Sequence, residues 1–160
     1  MESSTIPLAL AAAVFLAFLV WRVRPAFLEG TRKGATRDDV RAKLERAEAA
    51  RDDAEKAVLL CDAAELLRVR GAVGLYVRAL RADPASVKVV ERAIAGLAKR
   101  PRALEKVLWR HLANAPWKDT REATAVALDG LRSLYEGPLR SALRAKAFGH
   151  ARDAMRDKVG

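Results

Sequence analysis

The chain contains two ten-residue segments of similar pattern, 32 positions apart. Residues 75–84 read LYVRALRADP and residues 107–116 read VLWRHLANAP, so an Arg, a Leu and a Pro recur at equal spacing behind an apolar pair. A period of this size is about the length of two helices and the turns that join them. The sequence therefore predicts a fold made of stacked helical pairs.

The rest of the chain has the same helical character. Ala, Leu, Arg and Glu dominate the composition, which favours helix over strand. Apolar residues recur at helical spacing between turns that contain Pro or Gly. We expect an all-α domain over 36–160, with a leading helix at 36–51 and helix pairs at about 52–84, 85–116 and 117–157. Thr36 and Asp39 are spaced as a capping box for the leading helix. In the last helix the apolar positions at i, i+4 spacing are Leu139, Leu143, Ala147, Ala151 and Met155.

The first repeated segment also has the spacing of a known family. Its matching positions are Leu59, Ala72, Tyr76, Ala79 and Pro84. Over residues 54–84 the chain resembles the tetratricopeptide repeat family, and over 85–116 the likeness is weaker. The departures are Lys56, Leu60 and Ala63 in the first unit and Leu104, Leu108 and His111 in the second. The resemblance implies a tetratricopeptide-like α-solenoid; an ordinary helical bundle is the alternative.

An uncharged stretch of 19 residues precedes this domain. Residues 3–21 read SSTIPLALAAAVFLAFLVW, which as a helix would span about 28 Å, close to the hydrocarbon thickness of a bilayer. A cleavable signal peptide would need positive charge before the stretch and small residues after it, and neither is present. We therefore predict a single transmembrane helix as an N-terminal anchor at 1–23. Its membrane-facing residues are Ile6, Leu8, Leu10, Val14, Phe15, Leu16, Phe18, Leu19, Val20 and Trp21.

Positive charge is confined to the part of the chain that follows the anchor. The formal net charge is +10, all 30 Lys and Arg residues come after Trp21, and Glu2 is the only acid before it. A juxtamembrane basic linker is predicted at 24–35. The basic residues that flank the anchor are Arg22, Arg24, Arg32, Lys33 and Arg37. The positive-inside rule then predicts a single-pass membrane protein with its N-terminus outside and its C-terminal domain in the cytoplasm, and we expect a bacterial inner membrane.

Catalytic chemistry is not expected. The chain has one cysteine, Cys61, and two histidines, His111 and His150, at spacings that form neither a zinc site nor a nucleophile–base pair. We therefore predict no enzyme activity, no cofactor and no metal. Basic residues of 99–110 lie near Trp109 and Trp117, a combination that can bind nucleic acid, but only charge and proximity support that function.

Protein interaction is the function that this architecture favours. The family resemblance implies a groove lined by the first helix of each pair, and its candidate partner-binding residues are Lys88, Glu91, Arg92 and Lys99. Their basic bias would suit an acidic segment or a terminal carboxylate. We expect a scaffold or adaptor that binds a protein or peptide beside the lipid bilayer. The alternatives are a structural subunit of a larger membrane complex and a basic module that binds anionic lipid or nucleic acid.

Overall fold

The computed structural model describes residues 35–116 and 119–157. This part of the chain contains seven α-helices and no strand, which confirms the all-α prediction. All seven belong to one unit within residues 31–160. The helices are α1 (Arg37–Ala49), α2 (Asp53–Leu66), α3 (Val69–Ala82), α4 (Val87–Leu97), α5 (Pro101–Asn114), α6 (Arg121–Glu136) and α7 (Ala142–Asp157).

Side-chain caps start several of these helices at the positions where the sequence signals them. Thr36 Oγ1 accepts a hydrogen bond from the Asp39 amide at 3.1 Å, and Asp39 Oδ2 accepts one from the Thr36 amide at 2.8 Å. These bonds satisfy two amides that would otherwise lack partners at the start of α1, so the predicted capping box is confirmed. Asp52 accepts from the amides of Ala54 and Glu55, which separates α2 from α1.

The helices pack as a linear stack. Each helix contacts the next one along the chain, and α2 contacts α4, α3 contacts α5 and α4 contacts α6. Among the described residues, no extensive contact joins helices more than two positions apart. A closed bundle would bring its first and last helices together, whereas a repeat stack makes contacts between near neighbours only. The arrangement is therefore repeat-like.

A tyrosine in α3 determines how closely α4 can approach. Tyr76 is 1% exposed, and its ring end lies against the backbone of Gly96. A Cβ atom at Gly96 would overlap the Tyr76 hydroxyl and lie 2.7 Å from Cζ, so the absence of a side chain makes this approach possible. Tyr76, at the aromatic position of the predicted repeat, packs between successive pairs.

The last helix packs through a different face from the one that its i, i+4 pattern indicates. Leu143 is 82% exposed, and Ala147 and Ala151 are also exposed. The buried side of α7 instead contains Ala145 and Phe148, whose ring stacks on Tyr135 of α6 at 5.5 Å. Burial of the aromatic ring sets the rotation of the helix, so the predicted inward face was wrong at these positions. Leu139 and Met155 do pack partly against the core.

The predicted anchor at 1–23 lies outside the described residues, as does the basic linker up to residue 34. The same holds for its flanking residues Arg22, Arg24, Arg32 and Lys33. Within 35–116 and 119–157, no helix combines the length and the apolar character needed to cross a bilayer. Arg37 is described: it is the first residue of α1 and is exposed.

Candidate partner-binding surface

The four predicted partner-binding residues lie on or just after α4, and they differ in accessibility. Lys88 and Glu91 are exposed on the helix, and Lys99 is exposed in the turn that follows it. Arg92 is half-buried, with 21% of its side chain exposed. Three of the four can therefore contact a partner directly, and Arg92 has a different role.

Arg92 joins α4 to α2. Its Nη2 lies 2.7 Å from Asp62 Oδ1, its Nε donates to Glu65 Oε1 at 2.9 Å, and its Nη1 reaches the Val58 carbonyl at 3.4 Å. A guanidinium that makes two bonds to carboxylates is held firmly in one orientation. The charge of Arg92 is thus neutralised between two first helices of the stack.

Asp62 extends this contact to the leading helix. Lys43 of α1 donates to Asp62 Oδ2 at 3.1 Å. Burial by itself opposes ionisation of Asp62, but the hydrogen bonds from Arg92 and Lys43 outweigh it and hold the pKa of the carboxyl below its usual value. We call Lys43, Asp62, Glu65 and Arg92 the Asp62 network. It fixes the spacing of α1, α2 and α4.

The first helices consequently do not present a uniformly basic groove. Helix α2 contains four acids, Asp53, Glu55, Asp62 and Glu65, against the single base Lys56. On α4, Lys88 stands one turn from the exposed acid Glu91. The basic character inferred from α4 alone is therefore reduced by its neighbour in the stack.

Exposed positive charge is found on two second helices of the pairs, α3 and α5, although Arg78 of α3 lies 3.7 Å from Glu48 of α1. Helix α3 contains Arg70, Arg78 and Arg81 and no acid at all. On α5, Arg102, Lys106 and Arg110 are exposed, whereas the single acid Glu105 accepts a hydrogen bond from the buried Tyr135. We call the exposed residues Arg81, Arg102, Lys106, Trp109 and Arg110 the basic face. Its α5 part was recognised in the sequence, and the signal for its α3 part was the complete lack of acids in that helix.

The two helices of the basic face share a shallow cavity of about 70 Å³. Arg81 and Pro84 line one side of it, and Arg110, His111 and Asn114 line the other. The exposed Arg side chains of α3 and α5 therefore border the same depression.

His111 is the buried polar residue of this cavity. It is 4% exposed, and its Nε2 atom has no hydrogen-bond partner. Burial lowers the pKa of His111, because a charged imidazole would lose its hydration there. The unpartnered nitrogen of His111 could not be read from the sequence.

An aromatic cluster lies beside the cavity. Trp109 is 47% exposed, and its ring meets Phe148 of α7 edge to face, with centroids 5.5 Å apart. Phe148 in turn stacks on Tyr135, and the guanidinium of Arg144 lies 5.3 Å from the centre of the Tyr135 ring. One edge of Trp109 is thus held by the fold while much of the indole remains open to solvent.

The described residues offer little to a metal or a nucleophilic reaction. Within them no three His, Cys, Asp or Glu side chains are grouped so that they could hold an ion. Cys61 is buried in α2, and burial raises the pKa of its thiol to about 11, so it stays protonated at neutral pH. No family model, curated protein or solved structure matches the chain.

Proposed function

We propose that this chain is a membrane-anchored, tetratricopeptide-like scaffold that binds a protein or peptide partner on the cytoplasmic face of a membrane. The observation that supports it most is the linear stack of helices, because such stacks expose an extended surface rather than one enclosed site. The charge-free stretch at 3–21 supports the anchor. Anchoring raises the local concentration of the binding surface for any membrane-associated partner.

The partner-binding residues of this proposal are Lys88, Glu91 and Lys99. All three are exposed on α4 or its following turn. Arg92 supports the same surface indirectly, since the Asp62 network fixes α4 against α2. A partner that carries both charge signs would complement this surface better than a purely acidic segment.

The test is affinity purification of the full-length protein from gently solubilised membranes. We compare the wild type with a Lys88→Glu/Lys99→Glu variant and with a control, Arg46→Glu/Arg51→Glu, that makes the same charge change on exposed residues elsewhere. Arg92 is left intact because its replacement would break the Asp62 network. A protein that is retained by the wild type and the control but lost from the first variant supports the proposal.

Two other results would argue against it. A stoichiometric partner that both variants retain would favour a structural subunit of a larger membrane complex. Extraction of the protein by alkaline carbonate would contradict the anchor, whatever the partner.

A further inference from the structure

The basic face brings exposed cations of α3 and α5 to the border of one shallow cavity, and no described acid neutralises any of its four cations. Among the described residues, Arg81, Arg102, Lys106 and Arg110 make no salt bridge, whereas Arg92 has two acidic partners and Arg152 of α7 pairs with Asp129 at 2.7 Å. Unneutralised charges of one sign attract a polyanion or an anionic surface.

The helix dipole favours Arg81, which lies in the last turn of α3, but it does not account for the cation at the start of α5. The first turn of a helix favours acids, because the aligned peptide dipoles give it positive potential. Helix α5 has no acid in its first turn and no side-chain cap, and it begins with Arg100 as N-cap and Arg102 in its first turn. Helix α3 likewise has no acid in its first turn and begins after Arg68. The position of Arg102 is therefore unfavourable for the isolated helix, and an external anion would account for it.

Trp109 indicates what kind of anion this is. Its indole is about half exposed in the middle of the basic face, between Lys106 and Arg110. Tryptophan is enriched at the boundary of bilayers, where the ring meets acyl chains and the N–H meets water. Single-stranded nucleic acid would require several open rings on which successive bases stack. Among the described residues Trp109 is the only exposed aromatic ring, and Phe148 already occupies one of its edges.

We propose that the basic face of α3 and α5 docks on anionic lipid headgroups, with Trp109 inserted at the bilayer boundary. This inference rests on the proposed membrane anchoring, which would keep the domain near the bilayer. The surface formed by α2 and α4, with Lys88 and Glu91, would then remain available to a partner. Docking through α3 and α5 would thus leave the surface of α2 and α4 accessible to a partner.

The test uses the full-length chain with Trp21→Phe and Trp117→Phe, so that Trp109 is the only fluorescent tryptophan. The protein is reconstituted into vesicles of brominated phosphatidylcholine, alone or mixed with phosphatidylglycerol, at low and high salt. Bromine on the acyl chains quenches an indole that enters the boundary region. We expect quenching with the anionic vesicles only, and loss of it at high salt.

Charge variants identify the surface. Each basic residue at an anionic surface favours docking about fivefold, so Arg81→Glu/Lys106→Glu/Arg110→Glu should lower the ratio of docked to undocked protein about a hundredfold or more. A matched control, Arg46→Glu/Arg51→Glu/Arg156→Glu, changes three exposed cations elsewhere and should be quenched like the wild type. The milder set Arg81→Gln/Lys106→Gln/Arg110→Gln serves if the first variant loses its helical circular dichroism.

Three results would overturn the docking proposal. The first is equal quenching in zwitterionic and anionic vesicles, and the second is equal quenching of the Glu variant and the wild type. The third is a Trp109 signal that responds to a single-stranded oligonucleotide at physiological salt but not to vesicles, which would indicate nucleic acid instead. Alkaline extraction of the same vesicles tests the anchor separately. If alkaline treatment extracts the protein, but its Trp109 fluorescence was quenched in anionic vesicles before extraction, the docking proposal stands and the anchor is refuted.

Discussion

Gly96 provides the sharpest test of how successive helix pairs interlock. Replacing an exposed helical Gly by Ala normally stabilises a protein, because the unfolded chain loses conformational freedom. At Gly96 the new Cβ would overlap the hydroxyl of Tyr76 and lie 2.7 Å from its Cζ, whereas at Gly74 of α3 nothing lies within 4 Å. We predict that the same substitution has opposite signs at the two positions.

The magnitudes follow from two terms. Relief of the glycine penalty contributes up to about 1 kcal/mol at either position. The clash with the 1%-exposed ring of Tyr76 costs about 1–3 kcal/mol, the range for overpacking a filled core. Gly74→Ala should therefore raise the free energy of unfolding by up to about 1 kcal/mol, while Gly96→Ala should lower it by up to about 2 kcal/mol.

Urea unfolding of the full-length chain in mild detergent, followed by circular dichroism, measures both changes. Tyr76→Phe removes the hydroxyl that a Cβ at Gly96 would overlap. Adding Gly96→Ala to that background should therefore cost less than adding it to the wild type, and a double-mutant cycle gives the difference. Equal stabilisation by both Gly→Ala substitutions would refute the interlock.

Three further predictions concern the titratable groups. Asp62→Asn should lower the free energy of unfolding by about 1–3 kcal/mol at pH 7, because Arg92 loses a charged acceptor. The pKa of Asp62 is depressed, so its contribution is complete above about pH 4 and fades below it, and urea unfolding at pH 3 should show a smaller difference between the two proteins. The pKa of His111 is also lowered, so the wild type should lose stability as pH falls below about 6.5. In thermal melts between pH 7 and pH 5, His111→Leu should remove that loss. Cys61, with a thiol pKa raised to about 11, should react with a thiol reagent at pH 8 at least about a hundredfold more slowly in the folded than in the urea-unfolded protein.

The existence of the helices and several of their limits could be predicted from this sequence because their causes are local. The Thr36–Asp39 capping box, the Asp83–Pro84 stop and the Pro101 start each depend on residues within one turn of the boundary. The linear stacking followed from the 32-residue spacing, which is also readable from a single chain. These features require no knowledge of which other helix lies nearby.

Helix rotation and charge pairing could not be predicted, because both depend on neighbours distant in sequence. Leu143 matches an apolar stripe, yet burial of Phe148 against Tyr135 turns it outward. Arg92 was assigned to a binding groove because the family resemblance implies that the first helix of each pair lines one. Its acidic partner Asp62 lies 30 positions earlier, on another first helix.

The cations of this domain fall into two groups, those that pair with acids of the stack and exposed ones that make no salt bridge with a described residue. On the first helices, cations such as Arg92 pair with the acids of α2 and hold successive helices together, so a charge reversal there would weaken the stack itself. On α3 and α5, the cations Arg81 and Lys106 make no salt bridge with any described residue, so a reversal there leaves the internal contacts intact. A net charge of +10 thus cannot be treated as one uniform property of the surface. Two substitutions that change the net charge equally should therefore differ in effect. Reversal of Arg92 should lower the stability of the stack, whereas reversal of Arg81 or Lys106 should weaken the proposed docking and leave the stability unchanged.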